Sequence, residues 1–549
     1  MKLEPKLIEL LNKRGITSDE DIAEFLSDKP QKTYDPLLLL NMEAGVDLIL
    51  SAIDAGEKIC IYGDYDADGI TSTSIMLEVL SSLKANLTYY IPSRFDEGYG
   101  LNCSALDSIK AAGVDLVVTV DCGSVSVEEV EHAKEIGLKI MVTDHHNVTD
   151  RVANCLVINP MQPGDTYPFR YLAGCGVAFK LAQAIVETAG LPREVLTRTL
   201  DLVGIGTIGD VVPLIDENRT LAKYGLRAIN IGGRRGLDKL IEETGLKPGC
   251  VTSENVSYVI VPHLNAAGRM KTANIGVSLL IGRDEERLDD AVKTLMKCNS
   301  DRKSLQSDIF DECCDIIESE MRDDLFYLIY LEKAHEGITG IVAGKLKERY
   351  GKPTVILTPT GDGCLKGTGR SIESVDIYLL LKRFENLFLR FGGHAAACGF
   401  TMKSDELPEL RTRLGEAMKD MADAEPDLFD SETRCDLELN SDEVTADLAE
   451  EMKLLAPFGC GNEMPLIRVS LRPCDVRSMG SKMQYRRFSG QLANGRNVAC
   501  VIFSNAERFD ALLSEGRPLN VIGTLENQSW NDKKYLQINV ADAEEQVQK

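Results

Sequence analysis

The 549 residues include one tryptophan and six histidines, so a histidine that falls beside carboxylates carries weight. No run of about 18 apolar residues occurs, the length a membrane-crossing helix needs. The charged start, residues 1–9, lacks the pattern of a secretory signal. A cytoplasmic protein with no membrane attachment is expected. The 15 cysteines contain no Cys-x-x-Cys pair, and Cys313 and Cys314 are adjacent. That argues against zinc fingers and a disulfide framework and points to reduced, mostly buried thiols. There is no Walker sequence. The one G-x-G-x-x-G spelling, Gly204 to Gly209, runs into Asp210-Val211-Val212-Pro213, and Pro213 opposes the helix a dinucleotide site needs there. Asp210 is left as a turn residue or a further ligand. Basic residues are in deficit, with a net charge of −25. Much of the deficit sits in residues 420–451, where thirteen acidic residues stand against Arg434 alone. That stretch reads as a linker or solvated surface, and the remainder can still carry a local basic groove.

The densest chemistry is Gly63-Asp64-Tyr65-Asp66-Ala67-Asp68-Gly69. Residues 58–62 before it read as a buried strand, and residues 71–83 after it are apolar at helical spacing. Three carboxylates on one strand-to-helix turn repel one another unless cations compensate them, and hard oxygen donors suit Mg²⁺ or Mn²⁺. A solvated turn with Asp68 as helix N-cap is the plainer alternative. Further strands end at Asp121-Cys122-Gly123 and at Asp144-His145-His146. Strands alternating with helices imply a parallel sheet. Such sheets hold ligands beyond the C-terminal ends of their strands, so these groups can converge on one cleft. Imidazole beside carboxylate favours a transition metal such as Mn²⁺ over Ca²⁺.

Downstream, Asn265-Ala266-Ala267-Gly268-Arg269 reads as a small-residue turn ending in a phosphate-gripping arginine. Residues 283–320 form a charged amphipathic helix. A second alternating α/β domain starts near residue 325, with two glycine-rich turns, Gly367-Thr368-Gly369-Arg370-Ser371 and Gly392-Gly393-His394-Ala395. Together they suggest a phosphate clamp. Strands at 467–471, 482–491, 497–503, 518–525 and 535–540 suggest a small barrel of the OB type. Its Lys482, Tyr485, Arg486, Arg487, Phe488 and Trp530 suit single-stranded nucleic acid.

These motifs, in this order over nearly the whole chain, resemble the DHH phosphoesterase superfamily and, within it, the RecJ single-strand-specific exonucleases. Val120-Asp121-Cys122-Gly123, Gly209-Asp210-Val211-Val212-Pro213 and the turn Pro457 to Asn462 complete the match. Two positions depart from it: His263 stands where an arginine is expected, and Ala334 precedes His335.

The resemblance implies an N-terminal helical segment (1–40), a parallel-sheet DHH domain (41–282), a connecting helix (283–322), a smaller α/β DHH-associated domain (323–420), an acidic linker (421–451) and an OB-like β-barrel (452–549). It implies metal binding by Asp64, Asp66, Asp68, Asp121, His145 and Asp210, with Asp121 bridging two Mn²⁺ or Mg²⁺ ions. Asp66, Asp68, Asp121, His145 and His146 would be catalytic, with His146 on the scissile phosphate. Arg94, Asn265, Arg269, Thr368, Arg370, Gly393 and His394 would hold substrate. The implied reaction is two-metal hydrolysis of single-stranded DNA to mononucleotides, 5′ to 3′, in repair, recombination or replication. RNA is a second candidate substrate, a monomer is expected, and replication or single-strand-binding proteins are candidate partners. Two alternatives are an oligoribonuclease or small-nucleotide phosphodiesterase and a replication scaffold.

Overall fold

The strands expected around the acidic motifs form one parallel sheet in the computed structural model, which describes residues 3–94, 97–98, 100–148, 151–430, 433–481, 483–530 and 533–546. They are β1 (Lys58–Gly63), β2 (Asn86–Tyr90), β3 (Leu116–Val120), β4 (Lys139–Thr143) and β5 (Leu156–Ile158), in the order β2-β1-β3-β4-β5. Their near-continuous apolar runs suit a sheet covered on both faces. Ile59, Ile61, Leu116 and Val118 enter one core, while Cys60, Tyr62, Val117 and Val142 enter another. From β1 the chain goes to β2 on one side and then to β3 on the other. The order therefore reverses beside β1, and the crevice past the ends of β1 and β3 is a ligand position.

Helices α1 (Ala67–Ser82), α2 (Gly174–Thr188), α3 (Leu200–Gly209) and α4 (Asp216–Ile231) contribute to the first core. The G-x-G-x-x-G spelling lies inside α3, where its glycines serve packing. A Cβ on Gly204 would stand 2.7 Å from Gly225 Cα of α4, and one on Gly206 would stand 2.4 Å from Thr71 Oγ1 of α1. Lys180 of α2 and Glu217 of α4 form a fully buried pair at 3.0 Å. Glu217 also accepts from Thr33 Oγ1 and Tyr167 Oη, at 2.7 and 2.6 Å. Next come α5 (Arg235–Glu243), α6 (Val261–Met270) and α7 (Glu285–Glu320). Asn265 to Arg269, expected as a turn, belongs to α6. Its two alanines favour helix, and Ala266, Ala267 and Gly268 are buried against neighbours.

Two compact units emerge, Met1–Met296 with Thr433–Lys549, and Lys297–Glu432, the chain passing between them within α7. The second unit holds β6 (Tyr327–Tyr330), α8 (Glu336–Tyr350), β7 (Thr354–Pro359), β8 (Cys364–Arg370), β9 (Phe388–His394) and β10 (Ala397–Lys403). Its sheet order is β6-β7-β8-β10-β9, with only β6 and β7 parallel. Both glycine-rich stretches read as turns are thus mostly strand. A Cβ on Gly367 would meet the Phe400 ring at 2.4 Å, and one on Gly393 would meet Ala397 O at 2.4 Å. These glycines permit close approach across neighbouring strands.

In the first unit, β11 (Leu437–Leu439), α9 (Ala446–Met452), β12 (Leu466–Met479), β13 (Tyr485–Leu492), β14 (Asn497–Ile502), β15 (Leu519–Trp530) and β16 (Lys533–Glu545) complete the chain. The order β12-β13-β14-β16-β15 closes through a β12–β15 pairing, and β11 lies parallel to β12. The acidic stretch is therefore more than a linker. Leu437, Leu439, Leu448, Ala449 and Met452 enter the barrel core, as do Leu7, Leu10 and Leu11 of the helix Pro5–Lys13. The proposed stacking set is also revised. Phe488 is a core residue and Arg486 is paired with Asp510 at 2.7 Å, which leaves Tyr485 half-buried and Arg487 exposed. Lys482 and the Trp530 side chain lie outside the described residues.

Candidate metal centre

β1 delivers Asp64 to the crevice, and the turn into α1 is built by Asp66. Its Oδ1 accepts from Asp68 N at 2.9 Å and Gly69 N at 3.1 Å, so Asp66, two residues ahead of Asp68, is the N-cap. Gly69 makes the turn possible, since a Cβ there would lie 2.4 Å from Asp64 O. Asp68, 1% exposed, points inward from the first turn of α1. It accepts from Gly174 N (2.6 Å) and Cys175 N (2.9 Å), the first residues of α2. Helix N-termini favour negative charge, and these amides hold the carboxylate in place.

β3 ends at Asp121, whose φ of 63° is left-handed. Non-glycine residues seldom adopt it, and such strain clusters at functional sites. β4 ends at Asp144-His145-His146. Asp144 Oδ1 accepts from His145 N at 2.7 Å and His146 N at 3.1 Å, and lies 2.7 Å from His146 Nδ1. Asp144 thus orients both histidines. Asp210 follows the last turn of α3. The loop after it rests on the turn at the barrel entrance, where Leu214 N donates to Cys460 O at 2.7 Å.

The donors converge. His145 Nε2 lies 3.1 Å from Asp121 Oδ1, 3.5 Å from Asp210 Oδ2 and 3.9 Å from Asp68 Oδ2. Three groups each place three donor atoms within 4.8 Å of one another: Asp64, Asp66 and Asp121; Asp68, His145 and Asp210; Asp121, His145 and His146. The first two share no residue, and Asp121 of the first lies against His145 of the second. Asp64 Oδ1, Asp121 Oδ1 and His145 Nε2 are buried with no hydrogen-bond partner among the described residues. Buried polar atoms are rarely left so, and divalent cations match this mixed oxygen and nitrogen set.

Electrostatics agree. Burial and then neighbouring carboxylates push the Asp64, Asp66 and Asp121 carboxyls up, and Asp210 up to about 9. Burial lowers His145, favouring the neutral imidazole that binds metals. Burial also opposes a charged His146, but the contact with Asp144 outweighs it and holds that ring at about 9.

Beside this set, the Arg94 guanidinium lies 5.1 Å from the Tyr65 ring centroid. Arg94 and Arg269 both act electrostatically on Tyr65. Asn265, expected to touch substrate, has its carboxamide oxygen committed to Ala67 N at 2.7 Å, where it steadies the start of α1. His263 is buried in α6, with Nδ1 2.7 Å from Val259 O. In the second unit, Thr368 and Arg370 lie on β8, and Gly393 and His394 on β9. The register His394–Ala397–Arg370 brings Arg370 and His394 to one end of that sheet. No sequence signal announced the Gly174 and Cys175 amides or the Leu214–Cys460 support. Asp144 was visible beside the histidine pair, but its orienting role was not.

Residues 58–207 match the DHH family, N-terminal domain, residues 324–420 the DHHA1 domain and residues 435–542 the RecJ OB domain. The single-stranded-DNA-specific exonuclease RecJ of Bacillus subtilis (strain 168) is 37% identical over 551 residues, 99% of this chain and 68% of that protein. Its namesake in Escherichia coli (strain K12) is 33% identical over 501 residues, 88% of this chain and 86% of that protein. The crystal structure of RecJ with Mn²⁺ from Thermus thermophilus superposes with a TM-score of 0.84 at 27% identity, covering 100% of this chain and 76% of that one.

Proposed function

We propose, because the chain belongs to the RecJ family of single-stranded-DNA-specific exonucleases, that it hydrolyses single-stranded DNA from the 5′ end to mononucleotides with two divalent cations, Mn²⁺ or Mg²⁺. The observation that carries this is the pair of disjoint three-donor groups, Asp64/Asp66/Asp121 and Asp68/His145/Asp210, joined where Asp121 lies 3.1 Å from His145 Nε2. When bound, the cations supply the positive charge that polarises the phosphodiester and acidifies water.

The chain's own residues do the rest. Asp68 is fixed by the α2 amides and Asp66 by its capping role, so the carboxylates need little reorganisation when a cation binds. His146, held by Asp144 and half-exposed, is the group placed to reach the scissile phosphate and to carry a proton toward the leaving oxygen. Arg94 and Arg269, flanking Tyr65, hold the strand's phosphates in line with the carboxylates. Arg370 and His394, with Thr368 and Gly393, offer a further phosphate site within the second unit. The filled donor set weighs against a scaffold that has lost catalysis.

The test is cleavage of single-stranded DNA, duplex DNA and RNA with Mn²⁺, each labelled at either end. Mononucleotide release from the 5′ end of single-stranded DNA is expected. Release from the 3′ end, or faster attack on RNA, would overturn the polarity or the substrate.

A further inference from the structure

The ends of α1 and α3 remote from the metal centre are joined by Arg234. Its guanidinium meets Glu78 of α1 at 2.6 Å and Asp201 of α3 at 2.5 Å, and its single positive charge offsets one of the two carboxylates. A cavity of about 650 Å³ opens around this clamp. Glu78 and Asp201 are the only carboxylates among the described residues of its wall, whereas Arg198, Arg227 and Arg283 line it as well. Arg235, also on the wall, is paired with Glu285 at 2.7 Å. Arg198, Arg227 and Arg283 are exposed and have no carboxylate partner among the described residues.

Three uncompensated arginines around one cavity are unusual in a chain of net charge −25. They create a local positive field, and the guanidinium fork suits phosphate oxygens. Three forks call for more than one phosphate. The wall also presents Leu200, Tyr224 and Ile231, the last 75% exposed. That surface suits a ring. The volume is of the size that holds a small organic ligand and would leave inorganic phosphate mostly unsurrounded.

We propose that this cavity binds a nucleoside polyphosphate, its phosphates on Arg198, Arg227 and Arg283 and its base against Leu200, Tyr224 and Ile231. The site is distinct from the metal centre. Glu78 lies ten residues beyond Asp68 on α1, and Asp201 nine residues before Asp210, which at helical rise separates the two ends by about 15 Å.

Titration calorimetry of the full chain with dATP in Mg²⁺ tests this, alongside inorganic tripolyphosphate. One dATP per chain is expected, binding more tightly than tripolyphosphate. Arg227→Ala and Arg283→Ala should each weaken it about tenfold, and Asp66→Asn should leave it unchanged. Single-strand cleavage without dATP should be unaltered in both arginine variants, whose surface positions leave the core untouched. Absence of dATP binding, or binding lost in Asp66→Asn and kept in the arginine variants, would overturn the site. Equal affinity for tripolyphosphate would overturn the base pocket, and a loss of cleavage in the arginine variants would put these residues on the substrate path instead.

Discussion

A Cβ on Gly174 would stand 2.6 Å from the carboxylate of Asp121. The first residue of α2 therefore lies flat against the side chain at the centre of the donor set. Overpacking of this kind costs about 1–3 kcal/mol. Here it falls on the carboxylate proposed as a metal ligand rather than on a flexible side-chain end. Gly174→Ala should lower Mn²⁺ affinity at least about tenfold, with cleavage falling in step and circular dichroism unchanged. Unaltered affinity in Mn²⁺ calorimetry would remove Asp121 from the donor set.

Asp66 has two duties that substitution separates. Asparagine caps a helix about as well as aspartate, whereas alanine costs about 1 kcal/mol. Asp66→Asn should abolish measurable cleavage while leaving the Mn²⁺-free melting temperature equal or higher, because one of several mutually repelling buried charges is gone. Asp66→Ala should lose cleavage and melt lower. Full cleavage by Asp66→Asn would refute the assignment.

Adding Mn²⁺ should stabilise the fold, since the orphaned atoms of Asp64, Asp121 and His145 gain a partner only in the native state. Saturation at a hundredfold over Kd corresponds to about 2.7 kcal/mol per site. Thermal melts with EDTA and with Mn²⁺ measure this, and superimposable curves would count against the centre.

Lys180→Met should destabilise by about 3–5 kcal/mol, because it strands Glu217 as a buried charge without its cation. Urea unfolding of this variant beside Lys180→Met with Glu217→Gln gives the comparison. The double variant should recover part of the loss because no buried charge is left unpaired, while the single carboxamide oxygen replaces only one of the two acceptors that Thr33 and Tyr167 use.

Burial holds Lys223 down at about 8, against an ordinary 10.5, while its ammonium donates to Phe25 O and Ser27 O at 3.1 and 2.6 Å. Between these two pKa values the unfolded chain binds more protons than the native one. This lysine therefore makes stability rise with pH from about 8 to 10.5 and adds no slope outside that window. Lys223→Met should flatten this part of the urea-measured profile. An unchanged slope would mean the ammonium is better solvated than its surroundings imply.

The candidate metal centre was legible because its residues are clustered in sequence at strand ends. Alternating strands and helices implied the parallel sheet, and position past a strand end then gathered Asp64, Asp121 and His145. What failed was local interpretation of glycine and alanine. Asn265 to Arg269, expected as a turn, is helical, and Gly367 and Gly393 lie in strands, because tertiary contacts decide what a residue without a side chain is for. Gly204 meets Gly225, and Gly367 makes room for Phe400. Neither contact leaves a trace in local sequence. The acidic stretch misled for a similar reason. Its charges suggested solvent, while the alternate leucines Leu437 and Leu439 fill the barrel.

Leu7, Leu10 and Leu11 share a core with residues from 437 to 540. The helix Pro5–Lys13 is therefore synthesised several hundred residues before the strands that cover its apolar face. Through that interval three leucines stand bare, and so does the loop behind Asp210, whose prop at Cys460 is still unsynthesised. A chain stopped short of the barrel would carry every carboxylate of the candidate metal centre and yet expose a sticky amphipathic helix, a species for chaperones rather than a smaller enzyme.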